Sequence, residues 1–435
     1  DYEVSGMPNK EKKGFVDYVL WGDDGLPLAV VEAKKTMHDP HKGKHQAELY
    51  ADCLEKMTSQ RPVIFYTNGF ESWIWDDPFY PPRAIQGFYI KDELQLVINR
   101  RKNRKELSKQ NLNVQISGRY YQQEAIKRII ETLEGKARAS LLVMATGSGK
   151  TRTAAALVDL LMKANWVRRV LFLADRNALV TQAKNNFNEY LPHLTTVDLT
   201  KEKEDSTSRM AFSTYPTIMN RIDAAYTDDN RFYGPGHFDL IIVDEAHRSV
   251  YMKYTAIFDY FDAIRIGLTA TPKAEVDKNT YELFNNDSHN PTYNYELTKA
   301  VKDKWLVPPK AVSVPIKFHR EGIKYNELSE EEKAEYELTF RDEVSGNMPE
   351  EIDSSALNNW LFNANTVDKV LSYLMEHGLK VEGGDKLGKT IIFAKSHKHA
   401  LFIQQRFDLM FTQLKGKFLC IINIFEFYAK NLFDD

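Results

Sequence analysis

The chain has 435 residues, 43 % of them hydrophobic and 27 % charged, with a formal net charge of −3. That length predicts two to four domains, and the apolar content is ample for large cores. Without a global basic field, any nucleic-acid binding must rely on local patches. Two cysteines, Cys53 and Cys420, exclude a disulfide framework or a cysteine-rich zinc site and lead us to expect a reducing, cytoplasmic setting. No apolar run reaches membrane-spanning length; the tail from Phe418 to Ala429 is short and broken by Asn423 and Glu426. No signal peptide or internal repeat is evident, and an opening without methionine, in mid-pattern, suggests a fragment.

Residues 1–105 alternate short strands with one helical segment, Lys44 to Met57. Asp17 lies in an apolar segment, Phe15 to Trp21. Asp23-Asp24-Gly25 turns the chain, and Leu28 to Val31 returns as a second strand ending in Glu32-Ala33-Lys34. Alternation puts Glu32 and Lys34 on one side of that strand, within reach of Asp17 on its neighbour. Two carboxylates and an ammonium on one face suit a Mg²⁺ site, with Asp17 and Glu32 as ligands and Lys34 beside an attacking water. An exposed hairpin with its charges in water is the alternative. The wholly apolar residues before Glu32 argue for a central strand instead, where such charges need a metal or substrate to pair them. Gln46 and Tyr50 follow on one face of the helix. Lys34, Lys35, Lys42 and Lys44 form one candidate DNA-contact patch. The run Arg100 to Lys105 forms another, or reads as a linker or surface helix.

Residues 106–305 carry strands at Leu141–Met144, Val170–Ala174, Met210–Thr214, Leu240–Val243 and Arg265–Leu268, separated by helical segments. That alternation predicts a parallel sheet covered on both faces. Thr146-Gly147-Ser148-Gly149-Lys150-Thr151 sits between the first strand and a helix, the context of a phosphate-binding loop. Lys150 would reach the β/γ-phosphates of ATP, and the Thr151 hydroxyl would ligate Mg²⁺. The general pattern has a glycine where this chain has Met144. The apolar strand Phe238 to Val243 ends in Asp244-Glu245-Ala246-His247. Asp244 would hold the Mg²⁺ opposite Thr151, and Glu245 would polarise the attacking water. Gln122 has an amide suited to the adenine edge. Thr269 and Thr271, after another strand, could couple nucleotide state to motion between domains, and His247 fits a structural or coupling role better than metal binding.

In order and spacing, Gln122, the phosphate loop, Phe172 to Arg176, Phe212 to Tyr215, the Asp-Glu-Ala-His stretch and Gly267 to Pro272 resemble the superfamily 2 helicases and translocases. The resemblance implies a RecA-like lobe, with an arginine finger supplied by a second lobe. Asp17, Glu32-x-Lys34, Gln46-x-x-x-Tyr50 and the strand and turn Arg61 to Gly69 resemble the restriction-endonuclease-like domain of type I restriction motor subunits. There the glutamine–tyrosine helix faces the cleavage site, which implies a substrate-positioning role for Gln46 and Tyr50. Tyr295 to Pro308 resembles the junction between motor lobes in these subunits.

Residues 306–435 are expected to hold the start of a second RecA-like lobe, with Thr390–Ala394 as its first strand and its later motifs absent before Asp435. The α/β fold class is therefore a restriction-endonuclease-like domain, a RecA-like lobe and part of a second. The implied function is ATP-dependent translocation along duplex DNA coupled to Mg²⁺-dependent cleavage, with methyltransferase and specificity subunits as partners. The alternatives are a type III-like restriction subunit, a stand-alone repair helicase, or a non-catalytic ATP-switched DNA-binding scaffold. A nuclease domain N-terminal to the motor argues against the type III arrangement.

Overall fold

A computed structural model describes residues 2–35, 39–225, 233–246, 254–271, 278–284, 290–309, 323–327, 333, 351–352, 364–394 and 397–416. The chain divides into two compact units, residues 1–308 and 309–435.

The first unit opens with a small antiparallel pair, β1 (Tyr2–Ser5) and β2 (Lys13–Val16). A five-stranded mixed sheet follows: β3 (Tyr18–Trp21), β4 (Pro27–Ala33), β5 (Val63–Thr67), β6 (Ser72–Trp75) and β7 (Arg83–Ile85), neighbours in that order. The expected strand through Asp17 is interrupted. Asp17 forms a bend between β2 and β3, which belong to different sheets. Strand β4 pairs antiparallel with β3 and parallel with β5. It is therefore interior, and its first six residues are buried, as the apolar run required.

Two helices cover this sheet. Helix α1 (Lys44–Thr58) packs Ala47, Tyr50, Ala51 and Leu54 on Val30, Ile64 and Tyr66. It ends at Ser59, which adopts a left-handed conformation. Helix α2 (Lys91–Asn103) packs Leu94 and Ile98 on the other face, against Val31, Val63 and Phe65. Period-2 alternation in the strands thus feeds two separate cores.

The second sheet has seven strands: β8 (Ala139–Met144), β9 (Val170–Ala174), β10 (Thr196–Asp198), β11 (Met210–Thr214), β12 (Leu240–Val243), β13 (Ile264–Thr269) and β14 (Tyr293–Tyr295). Their order is β10-β11-β9-β12-β13-β8-β14, and every pairing is parallel. This is the RecA-like arrangement, with helices on both faces. Helices α3 (Tyr120–Glu134), α4 (Lys150–Lys163) and α5 (Asn177–Tyr190) bury Ile129, Leu157 and Phe187 on one side. Helices α6 (Tyr215–Ala225) and α7 (Thr255–Tyr260) contribute Ile218 and Ile257 to the other. Strands buried on both faces read as continuous apolar runs, which is why the sequence located the five central ones and not the three-residue edge strands β10 and β14.

In the second unit, helices Ala364–His377 and His397–Met410 pack Leu371 against Ile403 and Phe407, and Arg406 pairs with Asp368. Thr390–Ala394 differs from expectation. It is not a strand and pairs with no strand among the described residues, and Ile391 and Phe393 are 75 % and 91 % exposed. A parallel strand of this kind forms only against neighbours.

Candidate active sites

The N-terminal cluster forms where β3, β4 and α1 meet. Asp17 Oδ2 accepts a hydrogen bond from the Ala33 backbone N–H at 2.7 Å, which fixes the aspartate against the end of β4. Glu32 is 3 % exposed, and its Oε1 accepts from Lys34 Nζ at 2.5 Å. The same ammonium donates to Gln46 Oε1 at 2.8 Å, and Gln46 Nε2 donates to Tyr50 OH at 2.6 Å. Four of the five residues singled out in the sequence therefore form one hydrogen-bonded chain, Glu32–Lys34–Gln46–Tyr50, with Asp17 anchored beside it through the Ala33 backbone. Burial raises the Glu32 carboxyl pKa, the Lys34 bond opposes that, and the negative charge of Asp17 adds to it. Glu32 Oε2 is buried with no hydrogen-bond partner. An orphan carboxylate oxygen beside a second carboxylate fits a divalent cation held by Asp17 and Glu32. Among the described residues no three His, Cys, Asp or Glu side chains gather as a metal site, so remaining ligands would be water, phosphate or backbone oxygen.

Gly43 is a residue that sequence reasoning missed. A Cβ there would sit 3.2 Å from Glu32 Cγ and 3.3 Å from Lys34 Cε, so the bare backbone before α1 lets the cluster close. Nearby, His41 packs on Trp73 and lies 3.3 Å from Tyr66 OH, next to Glu32 on the paired strand β5. Lys35 and Lys42 are exposed on the rim. Lys44 is partly covered, its ammonium 4.6 Å from the Trp75 ring centre.

The candidate nucleotide site lies at the carboxyl ends of the seven-stranded sheet, where loops of open α/β sheets contact ligands. Gly147 and Gly149 have φ of 81° and 91°, the left-handed region a phosphate cradle needs. Gly149 also makes room for Gln122, since a Cβ would meet its Nε2 at 2.5 Å. Gln122 Nε2 and Tyr121 OH both donate to the Ser148 carbonyl, at 3.0 and 2.8 Å. The amide expected at adenine thus braces the loop here. Ser148 Oγ is buried without a partner. Lys150 and Thr151 open α4, whose N-terminal dipole favours anions.

Asp244 and Glu245 follow β12. The Lys150 ammonium lies 3.7 Å from Glu245 Oε1. Burial, and then the charge of Glu245, push the Asp244 carboxyl up to about 6, with Lys150 opposing the rise. Two adjacent carboxylates in a half-buried turn suit a divalent cation shared with Thr151. Ala246 N–H donates to the Leu268 carbonyl at 2.9 Å, joining the acidic turn to β13. Thr269 ends that strand fully buried, and its Oγ1 accepts from Thr271 N–H at 3.1 Å. His247 lies outside the described residues.

The Arg100–Lys105 run departs from the expected DNA patch. Arg100 pairs with Asp239 at 2.5 Å, and Arg101 with Asp76 at 2.7 Å. Lys102 donates to Gln60 at 3.0 Å, and Arg104 donates to Tyr80 OH at 2.8 Å over the Trp166 ring. These cations serve interactions within the unit because α2 lies between the two sheets. Arg83 and Arg138 converge from opposite sheets on Asp262, which also accepts from Tyr89.

A family model described as "Type III restriction enzyme, res subunit" matches residues 115–274. The chain is 34 % identical over 336 residues to the type I restriction enzyme EcoAI endonuclease subunit of Escherichia coli, covering 70 % of this chain and 38 % of that protein. It is 24 % identical over 497 residues to the EcoKI endonuclease subunit of E. coli strain K12, covering 95 % of this chain and 40 % of that protein. Among solved structures, the DNA-bound type ISP restriction-modification enzyme LlaBIII is similar over 68 % of this chain and 21 % of that one, at 17 % identity and a TM-score of 0.46. The chain thus spans about two fifths of the length of these two curated relatives.

Proposed function

We propose a function from one premise: this chain belongs to the family of type I restriction enzyme endonuclease subunits. In that reading it is the nuclease and motor part of such a subunit, hydrolysing ATP to move along duplex DNA and cleaving the phosphodiester backbone. Residues 1–105 form the nuclease domain, 106–305 the first motor lobe and 306–435 part of a second. Methyltransferase and specificity subunits would choose the site, in the cytoplasm.

The observation that carries the nuclease half is the single hydrogen-bonded group of Glu32, Lys34, Gln46 and Tyr50, with Asp17 anchored beside it. Mg²⁺ bound by Asp17 and Glu32, and by Thr151 and Asp244 at the ATP loop, would supply Lewis-acid stabilisation of developing charge. Lys34, half-buried beside Glu32, would present its cation where a scissile phosphate would lie. Gln46 sets the direction of that ammonium, and Tyr50 sets Gln46. At the ATP site, Lys150 binds phosphate charge, and Glu245 is placed to orient water and take its proton. A motor alone, resembling the matched type III family over residues 115–274, is the second reading. The type I relative matching 95 % of this chain favours the first.

The test is a paired assay of DNA-stimulated ATPase and circular-DNA cleavage in the full complex. Asp17→Ala, Glu32→Ala and Lys34→Ala should abolish cleavage and spare ATPase. Tyr50→Ala should impair cleavage less completely. Lys150→Ala should weaken nucleotide binding and lose both activities. Glu245→Gln should keep binding and slow hydrolysis by ~10²–10⁴-fold. Cleavage retained in both Asp17→Ala and Glu32→Ala would leave only a motor, and wild-type ATPase in Glu245→Gln would leave a scaffold or a different base.

A further inference from the structure

Between the two sheets of the first unit lies a cavity of about 60 Å³ with an unusual wall. Five arginines line it: Arg83, Arg100, Arg101, Arg104 and Arg138. Four have carboxylate partners, since Arg83 and Arg138 share Asp262, Arg100 takes Asp239 and Arg101 takes Asp76. Arg104 has neutral partners: the Tyr80 hydroxyl and the faces of Phe79, Tyr80 and Trp166, the last at 3.5 Å. The remaining lining acid, Glu93, accepts from the Ile90 backbone N–H at 3.0 Å, and burial pushes its carboxyl up to about 7. Titrating there, it supplies only part of a negative charge near neutral pH, so the three aspartates and Glu93 do not balance the five arginines.

The unpaired donors lead the same way. Arg83 Nη1, Arg101 Nη2 and Arg104 Nε are buried atoms without a hydrogen-bond partner, and all three side chains line this one cavity. A buried guanidinium N–H left unpaired is costly, and a desolvated cation without a counter-charge more so. The volume exceeds what one water needs and matches a few waters or one small ion. A small anion would satisfy the orphan donors and balance the excess positive charge; water would satisfy the donors alone.

We propose that this cavity is a binding site for a small inorganic anion, of halide or phosphate size, that fastens the N-terminal sheet to the seven-stranded sheet. The site is distinct from both the Asp17–Glu32–Lys34 cluster and the phosphate loop, and it does not depend on either reading of function.

The experiment follows the thermal midpoint of the whole chain at fixed ionic strength while sodium gluconate, too large for the cavity, is replaced by chloride or by inorganic phosphate. A saturable rise is expected with at least one of them. In Arg104→Gln the half-saturating concentration should rise about tenfold, the loss of one charge-assisted bond. Crystals grown in bromide supply a second measurement that needs no variant, and should show an anomalous peak in the cavity. Identical midpoints in gluconate, chloride and phosphate, together with ordered water and no bromide peak, would overturn the proposal.

Discussion

Arg83 and Asp262 stand 179 residues apart in sequence and meet in a two-pronged pair, Nε to Oδ1 at 2.7 Å and Nη2 to Oδ2 at 2.6 Å. Arg83 belongs to the last strand of the five-stranded sheet, and Asp262 shortly precedes β13 of the seven-stranded one. Arg138, before β8, donates to the same carboxylate at 2.8 Å. The joint between the two sheets is therefore a forked ion pair, supported by the other arginines around it.

That pair sets an acid limit. The two guanidinium groups and the Tyr89 hydroxyl hold the Asp262 carboxyl well below the usual range, against the opposing effect of burial. A depressed folded pKa gives stability that is present above the unfolded value, near 3.9, and is lost as pH falls below it. Asp262→Ala, which strands two buried cations, should cost about 3–5 kcal/mol. Denaturant unfolding from pH 7 down to 3 checks both statements; the acid-side slope should be shallower in the variant.

Glu93 acts in the opposite direction. Burial at the α2 joint pushes it up to about 7. Its folded state therefore holds a proton that the unfolded state releases above about 4.5, so its contribution falls as pH rises towards 7 and is constant beyond. Glu93→Gln should remove that decline and stabilise the chain at pH 8 by up to roughly 3 kcal/mol. Parallel unfolding curves of the variant and parent across pH 5–8 would contradict this.

Gly43→Ala tests how tightly the N-terminal cluster is built. Gly43 has a φ of −81°, so alanine fits the backbone, but its methyl presses on Glu32 and Lys34. DNA cleavage should fall by about 10²-fold, because a displacement of 1 Å is enough for that, while ATPase is unchanged. Equal cleavage rates would mean that the cluster has slack.

The basic residues should separate into two groups by salt dependence. Lys35 and Lys42 are exposed on the rim, whereas Arg100 and Arg101 are committed to Asp239 and Asp76. Neutralising Lys35 and Lys42 should flatten the salt dependence of DNA binding by nearly one slope unit for each phosphate no longer neutralised. Neutralising Arg100 or Arg101 should leave that slope intact and lower stability instead. Binding titrations across roughly 50 to 200 mM salt, paired with thermal unfolding, distinguish the two.

Both principal sheets were legible because their evidence is local. The apolar runs at Leu141–Met144 and Leu240–Val243 fix strands, and a glycine loop after one and an acidic pair after the other mark the candidate nucleotide site. The Glu32–Lys34 spacing fixes a shared face in the same way. The joint between the sheets was not legible. Nothing near Arg100 or Arg101 in sequence announces Asp239 or Asp76, so a run of cations looks identical whether it meets solvent, DNA or buried carboxylates. Gly43 was invisible for a related reason: its importance is an absence of atoms next to residues distant in sequence. Thr390–Ala394 has the composition of a strand without a described neighbour to pair with, and pairing is the part a single segment cannot encode.

Glu245 has a φ of 52°, a conformation in which a side chain with a Cβ is crowded by its own backbone. Folding by itself would favour glycine or asparagine there, and the glutamate carries a handicap of about 1 kcal/mol. Substitutions at 245 should therefore rank in opposite orders in two screens. Glycine should survive heat better than the parent and turn over ATP ~10²–10⁴-fold more slowly, so a library selected for thermostability alone would drift toward a nearly inert protein at this one position.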